Sequence, residues 1–412
     1  MLNAGDWIAD GDGLKRMVQD RNGNMKAEYA SHIPVMPLKI LQNAEEGTEK
    51  IRIGFYKYGT WHKILASRST VASNVKIVEL ADRGLDVTSD SAKLLVKYLA
   101  DVTALNMDVM PVVKSCRHMG WADKTFLPYT DAVKLDSEAQ YQDLIASVSS
   151  KGDLQAWINY TEELRRNTVL RLVMGASFAS PLIAKVSALP FVLHLWGGTG
   201  FGKTAGIMAA ASIWGNPRPG KLVRTMNMTV NSMMQMASVL RNLPFFGDEL
   251  QTIRSRFENY DKLIMQVTEG INRGRMTDTA LQQQMTWENA FILTGEEPCT
   301  QSVSGGVKNR VIEIECTDNV VENGNGVVNF INKNYGLAGR EYIKFLSDCS
   351  VQELFEAKMK EILDKSDTSE KQAMAMALIM TADVLAGLGL LSQRSGAYGG
   401  RCKAVPESTD RY

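Results

Sequence analysis

The run Gly197-Gly198-Thr199-Gly200-Phe201-Gly202-Lys203-Thr204 constrains this chain more than any other stretch. It fits the pattern G-x-x-x-x-G-K-[ST], in which glycines let the backbone wrap a polyphosphate at angles a Cβ would forbid. Its flanks matter more than the string. The apolar strand PFVLHLW, starting at Pro190, runs into the loop, and AGIMAAASIW continues from Thr204 as an Ala-rich helix. Strand, loop and helix in that order aim backbone N–H groups and a helix N-terminus at phosphate oxygens. The expected ligand is ATP, with Lys203 on the β- and γ-phosphates and the Thr204 hydroxyl on Mg²⁺. A glycine-rich turn that merely fits the pattern would need neither flank.

Hydrolysis needs one carboxylate for the metal's shell and another to polarise the attacking water. Leu243-Pro244-Phe245-Phe246-Gly247-Asp248-Glu249 ends an apolar run in two acids. Asp248 would hold Mg²⁺ through its water shell and Glu249 would act as general base. Adjacent acids at one strand end suit the additional-strand class of P-loop ATPases, although Gly247 departs from the apolar residue usual before the aspartate. By itself the same run would fit an ordinary acidic strand exit. The next buried strand, Ala290-Phe291-Ile292-Leu293-Thr294-Gly295, places Thr294 either between γ-phosphate and water or simply at a strand cap. Lys308-Asn309-Arg310 opens the strand Val311-Ile312-Glu313-Ile314-Glu315. Arg310 is either a finger on a neighbouring subunit's nucleotide or a solvated arginine.

Lys+Arg and Asp+Glu number 46 each, so no global basic field attracts nucleic acid, and any such contact must be a local basic strip or a pore. Five cysteines without a C-x-x-C pair point to reduced thiols, and four histidines without metal spacing argue against zinc. The acidic MLNAGDWIADGDGLK start is unlike a signal peptide, and the apolar stretch Ala373 to Leu391 contains Asp383 and reads as a buried helix. A cytoplasmic protein that does not enter membranes is expected.

Five segments follow from the patterning: a flexible lead-in over 1–32, a small mixed α/β domain over 33–150, the P-loop core over 151–330, a helical region over 331–391 and a disordered tail over 392–412. In the second segment, IRIGFYKYGTWHKILAS signals a hairpin about Tyr58-Gly59-Thr60, and Val71 to Asp82 and Ala92 to Asn106 carry helical spacing. Gln155 to Lys185 reads as helical. From Pro190 to Cys316 strands alternate with helices, the signature of a parallel sheet with crossovers, so the fold class is α/β of P-loop type. Helices are expected over Gly336 to Leu346, Val351 to Asp364 and Glu370 to Leu391.

The pieces HMGW, FASPLIAKV, FVLHLWGGTGFGKT, ASIWGNP, LPFFGDEL, WENAFILTGEEP and NRVIEIE lie between about Met36 and Leu346. With them the chain resembles a family of phage and mobile-element proteins, domains of unknown function with helicase-like character. That resemblance implies a ring-forming AAA+ ATPase near superfamily 3 and the minichromosome-maintenance helicases, acting as a homo-hexamer in DNA replication. It implies Lys203 and Thr204 on nucleotide and Mg²⁺, Asp248 and Glu249 as paired acids, Thr294 as sensor and Arg310 acting in trans. Several relatives carry a primase module before the motor; no such segment precedes the motor here, so priming would fall to another chain. No second sensor arginine stands out after Ile331.

Motors of this kind grip single-stranded DNA with a pore hairpin before the sensor strand, and here Arg273 and Arg275 would offer its phosphate contacts. From the residues alone, solvated basic side chains at a helix end explain those arginines slightly better, and only the resemblance favours DNA; Arg254, Arg256 and Lys262 also read as a solvated helix face. Met226, Met228, Met233, Met234 and Met236, together with Trp157, Trp214 and Trp287, are expected to fill core, and His194 to be a packed histidine. The functional expectation is an ATP-driven DNA helicase or translocase. The alternative is an ATP-dependent switch or loader that assembles on a protein without unwinding.

Overall fold

The computed structural model describes residues 2–256, 260–272, 284–300 and 305–391, the side chains at 139, 254–256 and 391 excepted. The chain divides into two compact units, one made of Met1–Arg117 with Asp131–Asp136, the other of His118–Thr130 with the chain from Ser137 onward. It therefore passes between units three times, not once near residue 150, and HMGW belongs to the second unit. Arg273, Arg275 and the tail over 392–412 lie outside the described residues.

In the small unit, the expected flexible lead-in is instead a three-stranded antiparallel sheet of Trp7–Asp10, Gly13–Gln19 and Met25–Ser31. Its Gly/Asp richness is turn chemistry: Asp20 Oδ1 accepts the N–H groups of Asn22 and Asn24 at 2.8 and 2.9 Å. Few of its residues are buried, Trp7, Leu14 and Ala30 among them, which is why hydrophobic alternation does not betray the strands.

A second sheet runs in the order Lys134–Leu135, Val112–Cys116, Val35–Asn43, Glu49–Lys57, Thr60–Ser67. The expected hairpin joins its last two strands. Lys57 pairs with Thr60 around Tyr58 and Gly59, whose φ of 53° and 79° are the positive values that tight two-residue turns demand. Helix Ala92–Leu105 packs on this sheet, burying Leu95, Tyr98, Leu99 and Val102. The helix expected over 71–82 is broken into a turn at Arg68–Val71 and a 3₁₀ segment at Lys76–Arg83. Between them Ser73 Oγ takes the Lys76 N–H at 3.3 Å, a local bond that competes with helix.

In the second unit, the helix expected over 155–185 is three: Leu154–Leu164, Thr168–Ala179 and Leu182–Lys185. Asn167 restarts the second by accepting the Leu170 N–H at 3.1 Å, and Pro181 precedes the third. Five strands then form an all-parallel sheet in the order Val223–Thr225, Phe245–Asp248, Ala290–Gly295, Phe191–Trp196, Val311–Glu315. This is the expected P-loop-like α/β architecture, with a helical C-terminal region of Leu337–Leu346, Gln352–Lys365 and Glu370–Ala386. Trp157, Trp214 and Trp287 are buried, and each indole N–H has a partner: Ser212 Oγ, Ser177 Oγ and the Val267 carbonyl.

One helix, Glu370–Leu390, is long and apolar enough to cross a membrane by length and composition. It is built as a core helix: it packs along Thr168–Ala179, and Asp383 on it accepts from Arg165 at 2.6 Å and Arg171 at 2.8 and 2.6 Å.

Gly247, the unexpected residue before Asp248, has a steric cause. A Cβ there would meet Met226 Sδ at 2.5 Å and Leu293 Cδ2 at 2.8 Å, so the methionine occupies the space an apolar side chain would take. Gly247→Val is expected to cost about 2 kcal/mol through overpacking. In a double-mutant cycle with Met226→Ala by urea denaturation, the two changes should together cost less than their sum. Strict additivity would show that the methionine does not fill that space.

Candidate functional site

Parallel strands that enter a sheet side by side also leave it side by side, so loops at their C-terminal ends converge. Phe191–Trp196, Phe245–Asp248 and Ala290–Gly295 end together, and a cleft of about 290 Å³ opens there. Thr199, Gly200, Gly202, Lys203, Thr204, Asp248, Glu249 and Thr294 line it, joined by Gln251 and Glu296. Eight residues singled out from sequence are thus brought into one place.

The glycine loop is shaped by close backbone approaches. Gly197 has φ 143°, and a Cβ on it would lie 2.6 Å from the Cys316 carbonyl oxygen. Gly202 sits at φ 78° as the residue before helix Lys203–Ala211, against Val321 at 3.0 Å from a would-be Cβ. Only glycine adopts both settings without strain. Lys203 Nζ donates to the carbonyls of Gly197 and Gly198 at 2.8 and 2.6 Å, so the ammonium lies over the loop it follows.

Asp248 is the common acceptor. The Thr204 hydroxyl lies 3.0 and 3.1 Å from its two carboxylate oxygens, and the Thr294 hydroxyl donates to Oδ1. Thr294 Oγ1 in turn accepts the Glu249 N–H at 3.2 Å, so one threonine touches both acids. Glu249 has φ 63°, a left-handed setting that turns the chain sharply off the strand directly after Asp248. Such a value in a non-glycine residue is uncommon and concentrates at functional sites. A hydroxyl and a carboxylate converging at a helix N-terminus are hard oxygen donors of the kind Mg²⁺ prefers.

Two cleft residues escaped the sequence. Glu296 accepts from Thr199 Oγ1 at 3.3 Å, and Gln251 carries a buried Oε1 without a partner among the described residues. The only available signal was position: each lies two residues past a strand-end residue already suspected, Thr294 and Glu249.

Arg310 is not in this cleft. It precedes Val311, which pairs beside Val192, so it stands at the opposite end of the sheet. Five strand residues separate the two ends, roughly 16 Å. There its Nη1 donates to Thr268 Oγ1 at 3.1 Å and the Met265 carbonyl at 3.5 Å. Ile271 and Thr286 form an antiparallel bridge; the candidate pore arginines between them fall within the residues not described.

His194 is fully buried, as expected of a packed histidine, and its Nδ1 lies 3.1 Å from Glu313 Oε1. The same carboxylate accepts the Cys299 N–H at 2.6 Å and the Thr300 hydroxyl. Burial alone would raise the Glu313 pKa, but the hydrogen bonds from His194, Thr300 and Cys299 outweigh it and hold the group at about 2. Burial pushes the Cys299 thiol up, as the adjacent carboxylate also does, so it is no nucleophile.

Residues 10–287 match the family model described as "Domain of unknown function (DUF927)", more than half of the chain. The chain belongs to the DUF927 family. No curated protein matches it in sequence. Among solved structures, the one described as "SCCmec type IV Cch - active helicase" is similar with a TM-score of 0.71 and 18% identity, over 95% of this chain and 75% of that one. At that identity the likeness is one of fold. The structure described as the apo NrS-1 C-terminal region has a TM-score of 0.27 and 9% identity over 86% of this chain and 90% of its own. The expected resemblance to a domain-of-unknown-function family is met, and this DUF927 chain has the fold of a protein that is an active helicase.

Because Glu313 is depressed below its ordinary value of 4.5, its contribution to stability is full above that pH and lost as the pH falls toward about 2. Glu313→Gln should therefore lower stability near neutrality and flatten the acid limb between these values. Thermal unfolding at a series of pH values reads both effects. An unchanged acid limb would mean that other carboxylates govern it.

Proposed function

We propose that this chain is an ATP-hydrolysing motor that acts as a DNA helicase or translocase. One observation carries the reading: the P-loop Lys203 and Thr204 share a cleft with Asp248, Glu249 and Thr294, and Thr204 and Thr294 both bond Asp248. The strand order supports the additional-strand ATPase class, because Ala290–Gly295 lies between the P-loop strand and the acidic strand. The fold likeness to an active helicase supports the motor role, and an AAA+ ring related to superfamily 3 and the minichromosome-maintenance helicases is the assembly we favour.

Backbone N–H groups of residues 198–204 would cradle the phosphates, with Lys203 leaving the Gly197 and Gly198 carbonyls for the β- and γ-phosphate oxygens. Thr204 and Asp248 would hold Mg²⁺, which neutralises charge on the β- and γ-phosphates when bound. Glu249 accepts a proton from the attacking water as general base. Thr294, fixed by Asp248 and the Glu249 N–H, orients that water against the γ-phosphate. Arg310, at the far end of the sheet from its own cleft, would act on a neighbouring subunit's nucleotide. Homo-hexamers and a pore contact to single-stranded DNA through Arg273 and Arg275 belong to the same proposal.

Lys203→Ala should abolish ATP binding, whereas Glu249→Gln should bind ATP with turnover lowered by about 10²-fold or more. Mixing Arg310→Ala with Glu249→Gln protein should restore part of the turnover. Steady-state phosphate release at several protein concentrations, with and without single-stranded DNA, checks these points. Normal binding in Lys203→Ala refutes the nucleotide site, and turnover indifferent to DNA favours an ATP-dependent switch or loader. Absence of recovery in mixtures removes Arg310.

A further inference from the structure

One face of the small unit's five-stranded sheet is committed to its core, through Ile51, Ile53, Phe55, Ile64 and Ala66. Alternation along Glu49–Lys57 turns Arg52, Gly54 and Tyr56 to the other face. The register Tyr56↔Trp61, Gly54↔Lys63 and Lys39↔Arg52 sets Trp61, Lys63 and Lys39 beside them. Two cations directly opposite across neighbouring strands repel each other. Among the described residues, no ion pair to Lys39, Arg52 or Lys63 relieves this; nearby Lys134 is paired with Asp131 at 2.6 Å. The Lys39 ammonium is held below its ordinary value, by burial first and then by the charges of Arg52, Lys134 and Lys63.

Aromatic rings stand next to these charges, and they are open. Tyr58 is 88% exposed, Trp61 52% and Tyr56 40%, with Tyr56 and Trp61 edge to face at 5.7 Å. Tyr58 moreover occupies a positive-φ turn position where Asn, Asp or Gly is favoured, so turn geometry does not account for its ring, which meets the Lys57 ammonium at 5.2 Å from the ring centre and otherwise stands open. Clustered cations suit a polyanion. Interleaved open rings suit one whose bases are unstacked, since every base offers a flat face to an aromatic ring and a duplex keeps its bases stacked. An acidic polypeptide would use the cations and leave the rings without a role.

We propose that this face of the small unit binds single-stranded nucleic acid, with phosphates along Lys39, Arg52 and Lys63 and bases on Trp61, Tyr56 and Tyr58. The site goes beyond the motor reading and needs no nucleotide, so the two can fail separately. The test is fluorescence anisotropy of the full chain carrying Lys203→Ala, with labelled oligo(dT) of about 15 nucleotides, across a NaCl series. No ATP or Mg²⁺ is added.

Trp61→Ala should weaken binding about tenfold, and Trp61→Phe, which keeps a ring and controls for folding, should retain most of the affinity. Arg52→Ala with Lys63→Ala should lower the slope of log affinity against log salt by about 1.4, at about 0.7 for each phosphate left unneutralised. A duplex of the same length should bind more weakly. The proposal is overturned if both sets of variants bind within about twofold of the parent. Equal affinity for duplex, or binding of polyglutamate without binding of oligo(dT), overturns it as well.

Discussion

The Asp248 carboxylate is the point on which the rest of the cleft turns. It lies at a strand end and accepts hydroxyls from Thr204, on the helix after the glycine loop, and Thr294, on the neighbouring strand. Hydrogen bonds to an ionised acceptor are about twice as strong as neutral ones, and a partly desolvated carboxylate without donors is costly. The same contacts thus satisfy the charge and bind three chain segments to one another. The loop, the acidic strand and the inserted strand cannot move independently without leaving Asp248 short of donors. The phosphoryl transfer proposed for this cleft would need that rigidity, because such a reaction works by placement and electrostatics more than by covalent chemistry.

A second half-buried carboxylate, Glu313, performs a related task on the sheet. His194 on the P-loop strand, Cys299 and Thr300 all donate to it, which ties the chain after Ala290–Gly295 back to the sheet. The start of that segment carries Glu296 against Thr199 of the glycine loop. Between them Gly295 has no room for a side chain, since a Cβ would lie 2.7 Å from His194 Nε2. The position of Glu296 in the cleft is therefore set by polar packing several residues away. The wall of the cleft is built from the sheet interior outward.

What the sequence discloses depends on how locally the cause is written. The glycine loop, the adjacent acids and the Tyr58-Gly59 turn are local patterns whose geometry follows from backbone sterics; the first two line one cleft and the third closes its hairpin. Four of the five parallel strands were legible for the same reason, being short apolar runs between helices; Val223–Thr225, three residues with an arginine at the centre, was not. The sheet over residues 7–31 was not, because its buried residues are few and its Asp and Gly turns look like disorder. Gly247 looked anomalous because its neighbour Met226 is distant in sequence. Glu296 and Gln251 were invisible because only the convergence of strand ends makes them neighbours of the loop. The face of the small unit was missed for a further reason: Lys39, Arg52 and Lys63 form a cluster only through cross-strand register.

Cleft and sheet face treat charge in opposite ways. In the cleft, Lys203 lies on the carbonyls of its own loop and Asp248 takes hydroxyls, so each charge has an internal partner that a ligand must replace. Exchange of partners favours selectivity, because a ligand lacking the right oxygens leaves those groups worse off than before. On the sheet face Lys39 opposes Arg52 across strands and repulsion is retained, so any polyanion relieves it irrespective of sequence. Since Lys+Arg and Asp+Glu balance at 46 each, little long-range attraction draws such a polyanion in. The face must act within about a Debye length, roughly 8 Å at physiological salt, where the open rings can also make contact. Short-range cations and rings in register suit a strand already delivered to the protein better than one captured from a distance.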